Sequence, residues 1–86
     1  MLEYIERIDK LAAKSRRLKN VTACTDMLTM CDAARAIAVD LSRELVECRR
    51  RGKLSARSQT LIKKLDESID NVEKMLTYAT LRYPTK

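Results

Sequence analysis

From Thr22 to Arg51 the apolar residues recur at alternating three- and four-residue intervals, and neither Pro nor Gly interrupts them. Cys24, Met27, Cys31, Ala34, Ala38, Leu41, Leu45 and Cys48 follow the a and d positions of a heptad repeat, the seam of a packed helix. Met30 and Ile37 flank that seam on one side, and Leu28, Val39 and Val46 on the other. At about 100° per residue these side chains cover roughly 200° of the helix, whereas a surface helix needs a stripe little wider than about 100°. A helix that must hide so much of itself needs two neighbours.

The chain supplies them on either side. Leu2, Ile5, Ile8, Leu11, Ala12, Ser15 and Leu18 form one face of a first helix over about Leu2 to Leu18. Its carboxylates, Glu3, Glu6 and Asp9, stand toward the N-terminus and its cations, Lys14, Arg16, Arg17 and Lys19, toward the C-terminus, which complements the helix dipole. Asn20 to Thr22 then offers a break, with Asn20 able to take a left-handed C-terminal position and Thr22 able to cap the second helix. That helix ends at Arg49, Arg50 and Arg51, followed by Gly52, the single glycine, and Ser55 is a good N-cap for a third. Leu61, Ile62, Leu65, Ile69, Val72, Leu76 and Ala79 form one stripe of the third helix, over about Ala56 to Leu81, and Pro84 marks its end.

Short connections make successive helices antiparallel. The expected fold is therefore all-α: an antiparallel up-down-up three-helix bundle, a single domain over residues 1–86, with the middle helix between the other two. The second and third helices, each roughly 40 Å long at about 1.5 Å per residue, outreach the first. That leaves part of the middle helix open and gives a homodimer a surface on which to form.

Composition supports this picture and narrows it. One Gly, one Pro and 35% charged residues suit an almost wholly helical chain, and 45% apolar residues suffice for a core. With three Tyr and neither Phe nor Trp among 86 residues, that core is built from Leu, Ile, Val, Met and Ala. Cores of this size are only marginally sufficient, and oligomerisation is a common remedy. No stretch approaches the ~18 consecutive apolar residues of a membrane span. Met1 to Arg7 carries acidic residues where a secretory leader carries basic ones, so no leader is expected. Three cysteines, all on the apolar side of one helix, point to reduced thiols and a cytoplasmic location.

Little in the chain invites catalysis. There is no histidine, and a single glycine cannot build a phosphate-cradling loop. Cys24 and Cys31 stand about 10.5 Å apart along the helix axis, too far for a disulfide, which needs Cα atoms within ~7 Å. These thiols are expected to have apolar neighbours and to act as small core hydrophobes. Asp66, Glu67, Asp70 and Glu73 form an acidic run, but without histidine or loop carbonyls it reads as a solvated face. A protein without enzymatic activity, cofactor or bound metal is the expectation.

The basic residues carry the main functional signal. Between Arg49 and Lys64 lie Arg49, Arg50, Arg51, Lys53, Arg57, Lys63 and Lys64 with no acidic residue, so the net charge of +6 is concentrated. In the expected bundle this cluster occupies one end, while Lys14, Arg16, Arg17 and Lys19, joined by Arg82 and Lys86, form a second basic pole. Such poles attract acidic protein faces or phosphate backbones. The turn followed by Ser55-Ala-Arg-Ser-Gln-Thr has the layout of a helix-turn-helix, which would let Arg57, Ser58, Gln59 and Lys63 contact nucleic acid. Against that, the helices are long, share seams suited to near-antiparallel packing, and place no aromatic residue among the cations. Cations at helix C-termini explain Arg16, Arg17 and Arg49 to Arg51 without any partner, but explain Arg57, Lys63 and Lys64, in the first half of a helix, poorly, Arg57 in particular because it opposes the dipole. The favoured expectation is a small non-catalytic interaction protein (an adaptor, inhibitor or assembly factor) engaging a partner protein through an exposed seam and basic poles. A DNA- or RNA-binding regulator acting through residues 49–64 is the alternative, and no membrane partner is expected.

Overall fold

Asn20 decides where the long middle helix begins. Its Oδ1 accepts a hydrogen bond from the Ala23 N–H at 2.9 Å, satisfying one of the free donors of the first turn. The computed structural model describes residues 2–83 and places three helices there: α1 (Leu2–Arg16), α2 (Val21–Arg51) and α3 (Ala56–Arg82). All three pack against one another, and no strand occurs among the described residues. The molecule is 48 Å long and 16 Å across. Pro84 and Lys86 lie outside the described residues.

The break between α1 and α2 is present, but two expectations about it are corrected. The cap is Asn20 rather than Thr22, which is exposed within the first turn. Asn20 also does not adopt a left-handed conformation: its backbone is extended, at φ −80° and ψ 117°. The end of α1 is closed instead by a tightened turn. Arg17 and Leu18 donate their N–H groups to the carbonyls of Lys14 and Ser15, each at 3.1 Å. The tightening ends α1 at Arg16 and turns Leu18 into the core.

The other boundary follows the sequence closely. Gly52 takes the left-handed conformation (φ 79°) and donates its N–H to the Cys48 carbonyl at 2.8 Å. Ser55 caps α3, its hydroxyl accepting from the Ser58 N–H at 3.0 Å.

Ile8, Met27, Cys31, Ala34, Ala38, Leu41, Leu65, Ile69, Val72 and Leu76 form a continuous core drawn from all three helices. Small residues at Ala34 and Ala38 let the neighbouring helices approach α2 closely. The flanks of the α2 seam behave differently from its centre. Leu28, Met30 and Ile37 are half-buried, while Val39 and Val46 are exposed. The hidden stripe of α2 is thus narrower than the apolar pattern demands.

Charged contacts hold α1 in place along its length. Arg35 of α2 pairs with Asp9 of α1. Arg7 pairs with Glu73 of α3 at 2.7 Å, and the Asp66 carboxylate beside Tyr4 raises its phenol pKa above the ordinary value. The acidic run of α3 is therefore not simply a solvated face. Asp66 and Glu73 are half-buried rails against which α1 lies, and only Glu67 and Asp70 of that group are exposed.

Candidate interaction surface

At the turn between α2 and α3, Cys48 is the centre of a polar knot. Its carbonyl accepts the N–H groups of Gly52 and Lys53 at 2.8 and 3.2 Å. Its sulfur lies 3.1 Å from the Ser58 hydroxyl and accepts from the Ser55 N–H at 3.4 Å. The Ser55 hydroxyl also donates to Glu44 Oε1 at 3.0 Å and lies 3.1 Å from the Ser58 hydroxyl. The expectation that all three thiols have apolar neighbours therefore fails at Cys48. The hydroxyl of Ser58, helped by Ser55, stabilises the thiolate and lowers the Cys48 pKa, outweighing burial and the nearby Glu44 charge. Cys31 is the opposite case: burial, helped by the neighbouring Asp32 charge, raises its pKa.

The knot fixes the backbone from which the first basic cluster projects. Arg49, Arg50, Arg51, Lys53, Arg57, Gln59, Lys63 and Lys64 are all exposed. Ser58 is not: it is fully buried beneath the turn and bonded to Cys48, so it offers no hydroxyl to a phosphate or base edge. Its position on the same stripe as Leu65 and Val72 was the available signal, because seven-residue steps return to one helix face. Arg57 also has a structural explanation. Its guanidinium lies 3.8 Å from Glu44, the carboxylate that anchors the Ser55 cap, and this offsets its unfavourable place at a helix start. Arg50 lies 3.7 Å from Glu47 on the same helix. Beside the cluster, Leu45, Cys48, Arg49, Gly52, Lys53 and Leu54 line a shallow groove with Leu54 exposed.

At the other end, Lys14, Arg16, Arg17 and Lys19 are exposed as expected of a second basic pole. Arg82 extends it, its guanidinium donating to the Tyr78 hydroxyl at 2.9 Å and standing 5.8 Å from the Tyr83 ring centre. Sequence reasoning missed the groove that runs up to this pole between α1 and α3. One stretch is lined by Arg7, Lys10, Leu11, Lys14, Glu73, Leu76 and Thr77 and encloses about 330 Å³. The next is lined by Lys14, Arg17, Leu76, Thr77, Thr80 and Leu81 and encloses about 400 Å³. It exists because α1 packs against α3 less extensively than α2 packs against either.

Among the described residues no cluster of three or more His, Cys, Asp or Glu side chains is placed to hold a metal ion. No helix among those residues is long and apolar enough to cross a membrane. Comparison of the chain with protein families, with curated proteins and with solved structures finds no match.

Proposed function

We propose that this chain is a small non-catalytic interaction protein, an adaptor, inhibitor or assembly factor of the cytoplasm, built as a single-domain up-down-up bundle. It engages a partner protein through an exposed helical seam and its basic poles. The observation that carries this reading is the pairing of cations with open apolar surface at both ends of the molecule. Arg49 and Lys53 border exposed Leu54 and half-buried Leu45 at one end, and Lys14 and Arg17 border exposed Leu81 at the other. A phosphate backbone neutralises cations but leaves such leucines wet. A protein partner covers both. Val39 and Val46, exposed on the outer face of α2, leave room for a homodimer as well.

Nucleic-acid binding through residues 49–64 is the second reading, favoured by the exposure of Arg49, Arg51, Lys53, Gln59, Lys63 and Lys64 around one turn. It is weakened by the burial of Ser58 and by the engagement of Arg57 with Glu44. Binding of duplex DNA and duplex RNA across a salt series separates the two. The interaction-protein reading requires nucleic-acid affinity no higher than that of an unrelated protein of equal charge. A steep loss of high affinity with salt, abolished by Arg50→Glu and Arg57→Glu together, would establish the alternative.

A further inference from the structure

We infer that the groove between α1 and α3 is the docking site of an acidic amphipathic helix, which lies along it as a fourth helix of the bundle. The inference rests on the interaction-protein reading above and names the surface and the chemistry of its occupant. Arg7, Lys10 and Lys14 succeed one another at intervals of three and four residues, so they share one face of α1, and Arg17, in the turn that closes the helix, continues that edge into the groove. That face is one wall of the groove, and Lys14, Leu76 and Thr77 belong to both of its stretches, which makes them continuous. Among the described residues Glu73 is the only carboxylate lining either stretch, and Arg7 already pairs with it. Lys10, Lys14 and Arg17 have no carboxylate partner among the ion pairs of the described residues.

The rest of the groove is uncharged. Leu11 and Leu76 make its floor, Thr77 and Thr80 its far wall, and Leu81 projects at its end with 82% of its surface exposed. From Arg7 to Arg17 the cationic edge runs about 15 Å, nearly three helical turns. The matching occupant is a helix of similar length with Glu or Asp at i, i+3 or i+4, and i+7 along one edge. Leu or Ile on the adjoining edge would meet Leu76 and Leu81. The other exposed surfaces lack so long a row of one sign. Val39 and Val46 of α2 are flanked by both signs, Asp40, Arg43 and Glu47. The groove at the Gly52 turn, about 460 Å³, is lined by two cations, Arg49 and Lys53, against four along the α1 edge.

The test uses the full chain and a labelled amphipathic peptide of about 18 residues, long enough to hold helical structure, with glutamate along one edge and leucine along the next. Its twin carries lysine in place of every glutamate. Fluorescence anisotropy is expected to show binding of the glutamate peptide only. Lys10→Glu, Lys14→Glu and Arg17→Glu together should weaken it by about tenfold or more and admit the lysine twin instead. Leu81→Asp, at an exposed position that leaves the core untouched, should weaken it without admitting the twin. Arg49→Glu with Lys53→Glu, at the far pole, should leave it unchanged. Absence of binding overturns the inference, as does equal loss in the far-pole variant. A dimer of the protein alone that the triple reversal dissociates would also overturn it, by showing a second copy in the groove. Any of these, with nucleic-acid affinity no higher than that of the charge-matched control, leaves the interaction-protein reading standing with its docking surface elsewhere.

Discussion

Truncation of Leu41 to alanine probes the packing on which every other placement depends. Leu41 is completely buried in the middle of α2, in the same core cluster as Leu65 and Ile69 of α3 and Ile8 of α1. Removing it costs the transfer energy of the lost methyl groups and leaves a cavity, because rigid helices on both sides collapse into it only in part. Leu→Ala at such sites costs about 3–4 kcal/mol. A chain of 86 residues is stable by about 4–13 kcal/mol, taking roughly 0.05–0.15 kcal/mol per residue. One truncation therefore removes between a quarter and nearly all of that stability. Urea unfolding followed by circular dichroism measures it as a drop in midpoint at constant slope. Val46→Ala is the internal control. Val46 belongs to the same apolar pattern in the sequence but is 60% exposed, so its truncation should stay within about 0.5 kcal/mol. Similar costs at the two positions, or a loss below about 1 kcal/mol at Leu41, would show that α2 is not enclosed between two helices.

Other outcomes follow from the capping and thiol chemistry. Asn20→Ala should lower stability by about 1 kcal/mol and Thr22→Ala by a few tenths at most, and the reverse order in the same unfolding assay would return the cap to Thr22. Cys48 is more acidic in the folded chain than the ordinary thiol value of 9.0, so the folded state holds its proton less tightly than the unfolded one. The stabilisation this gives is fully present above the unfolded value and is lost as pH falls through the lower folded value. Wild type should therefore gain stability over Cys48→Ser as pH rises through the thiol range. A difference that stays flat, or shrinks, would mean that Ser58 and Ser55 do not favour the thiolate. Gly52→Ala should cost about 1–2 kcal/mol through the left-handed backbone alone, since nothing lies within 4 Å of the added carbon. A neutral result in the unfolding assay would mean that the turn relaxes to another conformation.

The parts of the structure legible in the sequence are those set by local chemistry. Gly52 and Ser55 could be placed because a lone glycine and a capping serine act through their own backbone. Asn20 and Thr22 could not be ranked, because both are capping residues two positions apart and the choice depends on how Leu18 reaches the core. The centre of the α2 seam was legible from its period, but its flanks were not. Val39 and Val46 carry the right hydropathy, yet two neighbouring helices do not wrap far enough to cover them. The functional surface was legible only in its charges. Both basic clusters are exposed apart from Ser58, which serves the knot around Cys48. The roles of Asp66 and Glu73 as rails for α1, and the groove that lies beside them, depend on the register between helices far apart in the chain. No single-helix pattern contains that register.

The sharpest test sets the two kinds of partner against each other on one protein. The labelled glutamate peptide is bound first, and duplex DNA or RNA carrying a second label is then added at low and at physiological salt. If the basic surfaces serve a protein partner, the peptide stays bound at physiological salt and neither duplex binds more tightly than to an unrelated protein of equal charge. Tight duplex binding at that salt, lost in the Arg50→Glu and Arg57→Glu variant whether or not the peptide is bound, would contradict a protein-docking role and make the cations a phosphate-binding surface.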